Sequence, residues 1–292
     1  MLISVIIPSH NRYPLLLKAL EALSRQTLKE DQFEVIVAAS ACSDETVARL
    51  KPRVNDRFRL VEVRKGTPAR SRNAGAKLAR GTYLAFTDDD CIPEPDWLAN
   101  LLKAIAEEPS RVGVGGRTAT TDTGRTPLTH QVENDGGMDL IPTCNLIVRK
   151  DLFDALGGFS EEFNFLNEDT DFSWRLESFG SLYYDPKALV VHPPRPGTFK
   201  AKVEWMKNLE SEFLLASRNP RLYAARRGSP WHFIYWTMMV KEHKRYLKSA
   251  LGDIVLRKRP DWCLIRVALV LARSGYCLLL FPQFRALANA KK

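Results

Sequence analysis

Cysteine is scarce in this sequence and follows no pattern that would stabilise a small secreted domain. The 292 residues include five cysteines, an odd number, and no two of them have a C-x-x-C spacing. This distribution predicts neither a disulfide framework nor a zinc site, and it favours reduced thiols in a cytosolic protein. The five are Cys42, Cys91, Cys144, Cys263 and Cys277.

Three further features are missing. The opening residues, MLISVIIPSHNR, have no basic segment before an apolar run that already stops at Pro8, so they predict a first strand and not a signal peptide. No low-complexity segment or internal repeat is present, and 45% hydrophobic content suffices for a full α/β core. The segment SHNRYPLL lacks the glycine-rich phosphate loop with lysine that a nucleotidyltransferase would carry. Its absence argues against nucleotidyl transfer as the function.

The net charge of +9 is divided unevenly along the chain. Residues 195–292 contain 20 Lys or Arg and 6 Asp or Glu, a net +14, whereas residues 1–194 contain 23 and 28, a net −5. An acidic region suits a metal site, and a basic region suits an anionic surface. No nucleic-acid-binding motif accompanies the basic residues, so we expect lipid head groups and not nucleic acid as the partner.

Strand and helix patterns alternate over the first hundred residues. Strands are predicted at residues 3–7, 33–39, 59–63 and 83–86. One helix is predicted to open at residues 11–14, a second to run from Asp44 to Leu50, a third to stop at Gly81 and a fourth to run from about 96 to 107. Alternation of this kind predicts an α/β fold with a mostly parallel sheet and right-handed crossovers. A polar segment, residues 118–138, is predicted to be a mobile loop on the acceptor side.

The segment TYLAFTDDDCIPEPDW places three carboxylates directly after a buried strand. Ligands of open α/β sheets bind beyond the carboxyl ends of the strands, so Asp88, Asp89 and Asp90 are placed to hold a hard cation that binds a diphosphate. Taken alone, the same three residues could form a solvated turn.

The order of four motifs resembles glycosyltransferase family 2, whose members are inverting enzymes with the GT-A fold. The motifs are VIIPSHNR, KGTPARSRNAG, GTYLAFTDDDCIPEPDWL, and CNLIVRKDLFDALGGF followed by NEDTDFSWRLESFG. The resemblance covers about residues 1–195, which we expect to form the catalytic domain, with residues 196–292 as a helical basic region. It implies metal-dependent transfer of a sugar from a nucleotide-diphosphate donor to a hydroxyl acceptor, such as a lipid-linked glycan or a surface polysaccharide of the cell envelope.

The resemblance also implies roles for individual residues. Asp88 and Asp90 form a DxD motif that, with His192, would bind Mn²⁺ or Mg²⁺. Asp169 would be the general base and Glu168 would position the acceptor, while Asn145 would lie on the sugar or acceptor side. The donor would contact Pro8, Ser9, His10, Asp44, Arg72, Asn73, Asp88 and Asp89.

Each role has a simpler alternative. Asp169 could only cap its helix, Arg72 could form a surface ion pair, His192 could be structural, and Asn145 could be a satisfied turn amide. A helix N-terminus favours an ionised carboxylate, which would keep Asp169 able to accept a proton.

One departure from the family leaves the base of the nucleotide open. Many relatives have an acidic pair followed by Gly-Ser after the second strand, and the first acid binds uracil; the matching residues here are Ala39, Ser40, Ala41 and Cys42. Guanosine or thymidine diphosphate sugars are therefore candidates beside uridine diphosphate sugars. The missing acids also leave open a degenerate, non-catalytic sugar-binding or scaffold protein.

The basic region contains a long apolar segment. Residues 262–281 would span about 30 Å as a helix, long enough to cross a bilayer. Arg266 and Arg273, seven residues apart, would be costly inside a lone span. We therefore expect a helix lying in the plane of an anionic membrane surface, with the enzyme peripheral at the cytoplasmic face of the cell membrane. A helix buried against the catalytic domain is the alternative.

Overall fold

The computed structural model describes residues 2–135 and 141–290. Of the predicted acceptor loop, residues 136–138 lie outside this described part. Contacts divide the chain into two compact units. Unit 1 comprises residues 1–121 and 131–193, and unit 2 comprises residues 122–130 and 194–292. The proposed roles of the two sequence regions, catalysis and membrane association, stay predictions.

Unit 1 is a sheet flanked by helices. Its strands are β1 Ile3–Ser9, β2 Phe33–Ser40, β3 Phe58–Val63, β4 Tyr83–Phe86, β5 Ile92–Pro93, β6 Arg111–Ala119, β7 Leu146–Arg149 and β8 Ser181–Val191. Its helices are α1 Tyr13–Leu23, α2 Thr46–Leu50, α3 Pro68–Leu78, α4 Trp97–Ala106, α5 Lys150–Ala155 and α6 Glu168–Leu176.

The sheet has eight strands in the order β3-β2-β1-β4-β7-β6-β8-β5. Strands β3, β2, β1 and β4 are mutually parallel, which confirms the prediction for the first hundred residues. Strand β7 is antiparallel to β4 and β6, β6 is parallel to β8, and β5 is antiparallel to β8. The whole sheet is therefore mixed. Its four parallel strands end with β4, the strand that precedes the acids, and the next strand, β7, runs in the opposite direction.

Strand β1 extends past the proline at which it was predicted to end. Pro8 pairs with Ala38 of β2, and the strand stops at Ser9. Pairing with β4 ends earlier, at Ile6 and Phe86, so Pro8 has a neighbouring strand on one side only. A residue without an N–H group is tolerated at such a position, and the strand carries Ser9 to the edge where the acids lie.

Two apolar clusters fill the two faces of the sheet. One contains α1, whose Leu16, Leu20 and Leu23 are buried as its spacing predicts, together with Trp97 of α4. The other contains α3 and α6 with a group of packed phenylalanines, among them Phe86, Phe159 and Phe172. Both clusters anchor the helices whose first turns face the carboxyl ends of the strands.

Unit 2 is helical in its described part. Its helices are α7 Phe199–Glu204, α8 Ser211–Arg218, α9 Pro220–Arg227, a π-helix His232–Met238, α10 Met239–Val255, α11 Pro260–Leu279 and α12 Phe281–Ala290. Among the described residues, α11 is the one helix long and apolar enough to cross a membrane. That criterion uses length and composition alone, and the core helix of a soluble protein can also meet it.

Helices α10 and α11 form a hairpin in which the two arginines of α11 point toward protein. Arg266 of α11 donates to the buried Asp253 of α10 at 2.5 Å. Arg273 is also buried, against Met206 and the rings of Trp205 and Tyr246. Both arginines therefore lie on protein-facing sides of α11, so the outer side of this helix carries neither charge.

Candidate active site

The three acids lie in a turn that directly follows β4. Asp88 keeps 29% of its side chain exposed, whereas Asp89 and Asp90 are buried. Strand β4 pairs with β1, so the turn lies beside Ser9 at the end of that strand. The predicted placement at the carboxyl edge of the parallel strands is observed.

Asp89 joins this turn to the loop after β1. Its Oδ2 accepts a hydrogen bond from the Ser9 hydroxyl at 2.9 Å, and its Oδ1 accepts one from Arg12 Nη1 at 3.1 Å. Burial raises the pKa of Asp89 to about 6, with Arg12 opposing and the charge of Asp90 adding to the shift. Since both oxygens have partners within the protein, Asp89 holds two loops together.

Arg72 connects the acid turn with the start of α6. Its Nη2 donates to Asp88 Oδ1 at 2.8 Å and its Nη1 donates to Glu168 Oε1 at 3.0 Å. Burial opposes the charge of this guanidinium, but Asp88 and Glu168 outweigh that effect and raise the pKa of Arg72. The buried Nε has no hydrogen-bond partner among the described residues. Arg72 is thus a buried bridge and not a surface ion-pair residue.

Asp169 lies in the first turn of α6 next to Glu168. It is partly exposed, and its Oδ1 accepts the Thr170 N–H at 2.8 Å. Burial, followed by the charge of Glu168, raises the pKa of Asp169 to about 7. This corrects the expectation that the helix N-terminus keeps the carboxylate fully ionised, because desolvation and the neighbouring acid outweigh the helix. A carboxylate with such a pKa can both accept and release a proton near neutral pH.

His192 follows β8 and meets Asp90. Its Nε2 lies 3.6 Å from Asp90 Oδ1, and both side chains are buried. Its Nδ1 lies 3.2 Å from the Pro193 carbonyl, an acceptor that fixes the proton on Nδ1. Nε2 is then the ring nitrogen turned toward the carboxylate, the arrangement found in histidines that bind metals.

The side chains in and around the acid turn have ligand atoms that suit a divalent cation. Asp88 and Asp90 supply carboxylate oxygens and His192 supplies an imidazole nitrogen, the ligand types that Mn²⁺ accepts. Asp90, Cys91 and His192 each present a ligand atom, and these three atoms lie within 4.8 Å of one another. Of the three predicted ligands, Asp90 and His192 therefore belong to this group, whereas Asp88, whose Oδ1 accepts from Arg72, is outside it.

Five other predicted residues do not join this cluster through side-chain contacts. Asn145 is buried, accepts from Trp97 Nε1 at 2.8 Å and donates to two backbone carbonyls, which are the contacts of a satisfied amide. Asn73 uses its amide to hold Phe159 and Glu161. These contacts give neither amide a visible role at a ligand.

The remaining three lie near the ends of β1 and β2. Exposed His10 donates from Nδ1 to the Ser40 carbonyl at 2.6 Å, and half-buried Pro8 precedes it in the chain. Asp44 accepts the Thr46 N–H at 3.0 Å and is exposed, one residue before the position at which α2 is capped. These three residues therefore lie at or just beyond the ends of β1 and β2.

Sequence reasoning missed two residues of the site. Arg12 contacts both Asp89 and Asp90, and its signal was its position directly after the first strand in SHNR. Cys91 packs beside Asp90, with Sγ 3.9 Å from Asp90 Oδ1. No local spacing links Cys91 to His192, because tertiary structure brings them together.

The chain is similar in sequence to known proteins of one family. The profile of Glycosyl transferase family 2 matches residues 4–160, more than half of the chain. Glycosyltransferase AglE of Haloferax volcanii is 29% identical over 208 residues, which cover 66% of this chain and 67% of AglE. Validoxylamine A glucosyltransferase of Streptomyces hygroscopicus is 35% identical over 118 residues, but these are 39% of this chain and only 26% of that protein.

Solved structures share the fold at low sequence identity. Mannosyltransferase PcManGT of Pyrobaculum calidifontis, in complex with GDP-Man and Mn²⁺, has a TM-score of 0.63 at 20% identity and covers 94% of this chain and 86% of its own. TarS 1-349 of Staphylococcus aureus, in complex with UDP-GlcNAc, has a TM-score of 0.59 at 16% identity and covers 97% and 92%. The acid turn after β4, the mixed sheet and the family match lead to one conclusion: this chain belongs to glycosyltransferase family 2 and is a glycosyltransferase with the GT-A fold.

Proposed function

We propose that this protein transfers a sugar from a nucleotide-diphosphate donor to a hydroxyl acceptor with inversion at the anomeric carbon, in a metal-dependent reaction. The Arg72 bridge is the observation that carries the proposal. It connects Asp88 of the acid turn with Glu168, the neighbour of Asp169, at 2.8 and 3.0 Å. A donor-binding acid and a candidate proton acceptor therefore belong to one connected group.

The chain provides separate groups for the leaving group and the acceptor. Asp88, Asp90 and His192 would hold Mn²⁺ or Mg²⁺, which when bound neutralises charge that develops on a diphosphate leaving group. Arg72 adds a fixed positive charge beside Asp88, and its Nε can donate to a ligand oxygen. Asp169 would take the proton from the acceptor hydroxyl, and Glu168 would orient that hydroxyl.

The raised pKa supports Asp169 as the base. A carboxylate with a pKa of about 7 is a stronger proton acceptor than one near 4, while still being half ionised at neutral pH. Direct attack of the activated hydroxyl on the anomeric carbon needs one such base and gives inversion. The alternative role, that of a helix cap, accounts for the bond to Thr170 but not for the position directly beside a second acid.

The base of the nucleotide stays open. At the end of β2, the carbonyl of Ser40 is occupied by His10, and no carboxylate replaces the uracil-binding acids of relatives at residues 39–42. Two structural neighbours were solved with donors of different bases, GDP-Man and UDP-GlcNAc. We therefore extend the proposal to the donor class and not to one nucleotide.

We further propose that the enzyme is peripheral at the cytoplasmic face of the membrane, where it acts on a lipid-linked or surface-polysaccharide acceptor. The exposed side of the α10–α11 hairpin supports this. Leu264, Leu271 and Leu278 form one stripe of α11 at seven-residue spacing, and each is at least 65% exposed. On α10, Leu247, Leu251 and Val255 are exposed at four-residue spacing.

Basic residues border these apolar stripes. Lys241, Lys244, Arg245 and Lys248 are exposed on α10, and Arg257, Lys258 and Arg259 are exposed where the hairpin turns. An apolar face with cationic borders is typical of helices that lie in an anionic membrane surface. A second copy of the chain is a less favourable partner for this face, because it would bring two cationic borders together.

A thermal-shift panel tests the donor part of the proposal. Uridine, guanosine and thymidine diphosphates and their sugars are each added to the full chain with Mn²⁺ and without it. A ligand that binds only the folded state raises the melting temperature by mass action. We expect one base to give a shift that needs Mn²⁺. A panel without any Mn²⁺-dependent shift would contradict a nucleotide-sugar donor bound through metal.

A further inference from the structure

The pairing of β5 with β8 brings a thiol to the side of the acid turn. In this antiparallel ladder Ile92 pairs with Val191 and Pro93 with Val190. One residue beyond the first pair are Cys91 and His192. The backbone therefore sets a cysteine and a histidine at the same end of two adjacent strands, although they are a hundred residues apart in sequence.

The two oxygens of Asp90 face different groups. Oδ2 lies 3.5 Å from Arg12 Nη1, whereas Oδ1 lies 3.6 Å from His192 Nε2 and 3.9 Å from Cys91 Sγ. All three side chains that meet at Oδ1 are buried. One oxygen of Asp90 is thus close to the Arg12 guanidinium, and the other is close to the His192 nitrogen and the Cys91 sulfur.

These separations are close to those of ligands around a tetrahedral ion. Zinc binds nitrogen, oxygen and sulfur at roughly 2.0 to 2.3 Å, which places neighbouring ligand atoms roughly 3.3 to 3.8 Å apart. The observed values of 3.6 and 3.9 Å need only small side-chain movements to reach that range. The Pro193 carbonyl, 3.2 Å from His192 Nδ1, orients the imidazole as a metal-ligand histidine requires.

We infer that Asp90, Cys91 and His192 together form a binding site for a thiophilic divalent ion of the zinc class, with Cys91 as a ligand. The inference rests on the proposed metal site and adds a residue and a selectivity to it. Binding replaces the thiol proton of Cys91, which leaves to solvent, so that a thiolate and a carboxylate balance the charge of the ion. Mg²⁺ prefers oxygen ligands and gains little from sulfur.

This site makes zinc a competitor of the metal that serves the donor. An ion bound to Cys91 shares Asp90 and His192 with Mn²⁺ or Mg²⁺, so the two cannot occupy the turn together. The simpler alternative is that Cys91 is a small apolar residue of the core, since it packs within the cluster that contains Trp97 and Cys144. The two accounts differ in whether sulfur contacts the ion.

Cobalt(II) distinguishes them, because a thiolate bound to Co²⁺ gives an intense near-ultraviolet charge-transfer band. The full chain is titrated with Co²⁺ alone, without nucleotide, so the result does not depend on donor binding. We expect the band to saturate at one equivalent, to disappear on adding Zn²⁺ and to withstand Mg²⁺. Cys91→Ser should abolish the band and weaken Co²⁺ binding by more than the roughly 10- to 100-fold that loss of an outer partner causes.

Cys42→Ser is the matched control and should retain the band, because Cys42 lies by the loop after β2 and outside the trio. X-ray absorption at the zinc edge of the wild-type protein needs no variant and should show one sulfur at about 2.3 Å. Absence of sulfur from that zinc shell, or a band that persists in Cys91→Ser, would overturn the inference.

Discussion

Asp169→Asn is expected to have opposite effects on catalysis and on stability. We expect Asp169→Asn to reduce transfer by ~10²-fold or more, the usual scale for loss of a positioned proton acceptor, while donor affinity stays nearly unchanged. Initial rates and nucleotide binding, measured on the same variant, check this. Equal losses of binding and turnover would instead make Asp169 a structural or metal-site residue.

The same pKa predicts how pH affects this variant. Asp169 has a pKa of about 7 in the folded protein and about 3.9 in an unfolded chain, so protonation favours the fold. Its stabilising effect is complete below pH ~4 and is lost as the pH rises through 7. Asparagine resembles the protonated form, so the variant should melt higher than wild type at pH 8 and alike near pH 4. Wild-type transfer should rise with pH through about 7.

Ala41 has a backbone conformation that suits glycine. Its φ is +44°, in the left-handed region, which glycine adopts without steric cost. A residue other than glycine in the left-handed region costs about 1 to 2 kcal/mol. Glycine avoids this strain but loses more backbone entropy on folding, so Ala41→Gly should raise the free energy of unfolding by about 0.5 to 1 kcal/mol.

Urea unfolding of Ala41→Gly measures this gain. Ala38→Gly is the control, because Ala38 is buried within β2 and its replacement should destabilise the protein. If both variants lost stability equally, the conformation assigned to Ala41 would be wrong.

The α10–α11 hairpin allows the apolar and basic parts of membrane binding to be measured separately. We expect Leu264→Gln, Leu271→Gln and Leu278→Gln, combined in one protein, to reduce sedimentation with anionic vesicles at every salt concentration. All three side chains are exposed, so the fold should be unaffected. Glutamine keeps a high helix propensity, which makes loss of apolar insertion the main change.

The matched variant carries Lys241→Gln, Lys244→Gln and Lys248→Gln. Each lysine near an anionic surface contributes about 1 kcal/mol, so this protein should bind ~100-fold more weakly at low salt and little differently at high salt. Neutral vesicles should bind all forms weakly. Wild type that binds neither vesicle, or that dimerises through this face, would contradict the membrane proposal.

Elements with regular patterns could be predicted from sequence, whereas partners of single side chains could not. The alternation of apolar residues correctly indicated β1 to β4 and α1, because burial on a sheet requires those periods. Asn145 illustrates the limit: its motif placed it on the sugar or acceptor side, and that motif did not indicate the contacts of its amide with Trp97 and two backbone carbonyls. The pairing of Cys91 with His192 depends on strand register, which local spacing does not encode.

At the scale of the whole molecule, the two regions of the chain differ in net charge. The acidic first two thirds contain the cluster of Asp88, Asp90, Glu168 and Asp169, and the basic last third contains the exposed hairpin. In the sequence, Arg266 and Arg273 argue against a membrane-spanning helix because arginines are costly in lipid. In the structure both face protein, which leaves the outer side of α11 apolar.

The most direct test of the central claim is the melting temperature of wild type, Asp90→Asn and Asp169→Asn with the preferred nucleotide diphosphate, with and without Mn²⁺. Asp90→Asn keeps the shape of the side chain but removes the charge that the metal needs, so its Mn²⁺-dependent shift should largely vanish. Asp169→Asn should keep the shift, because this residue would act on the acceptor and not on the donor. An undiminished Mn²⁺-dependent shift in Asp90→Asn would contradict donor binding through a metal at the acid turn.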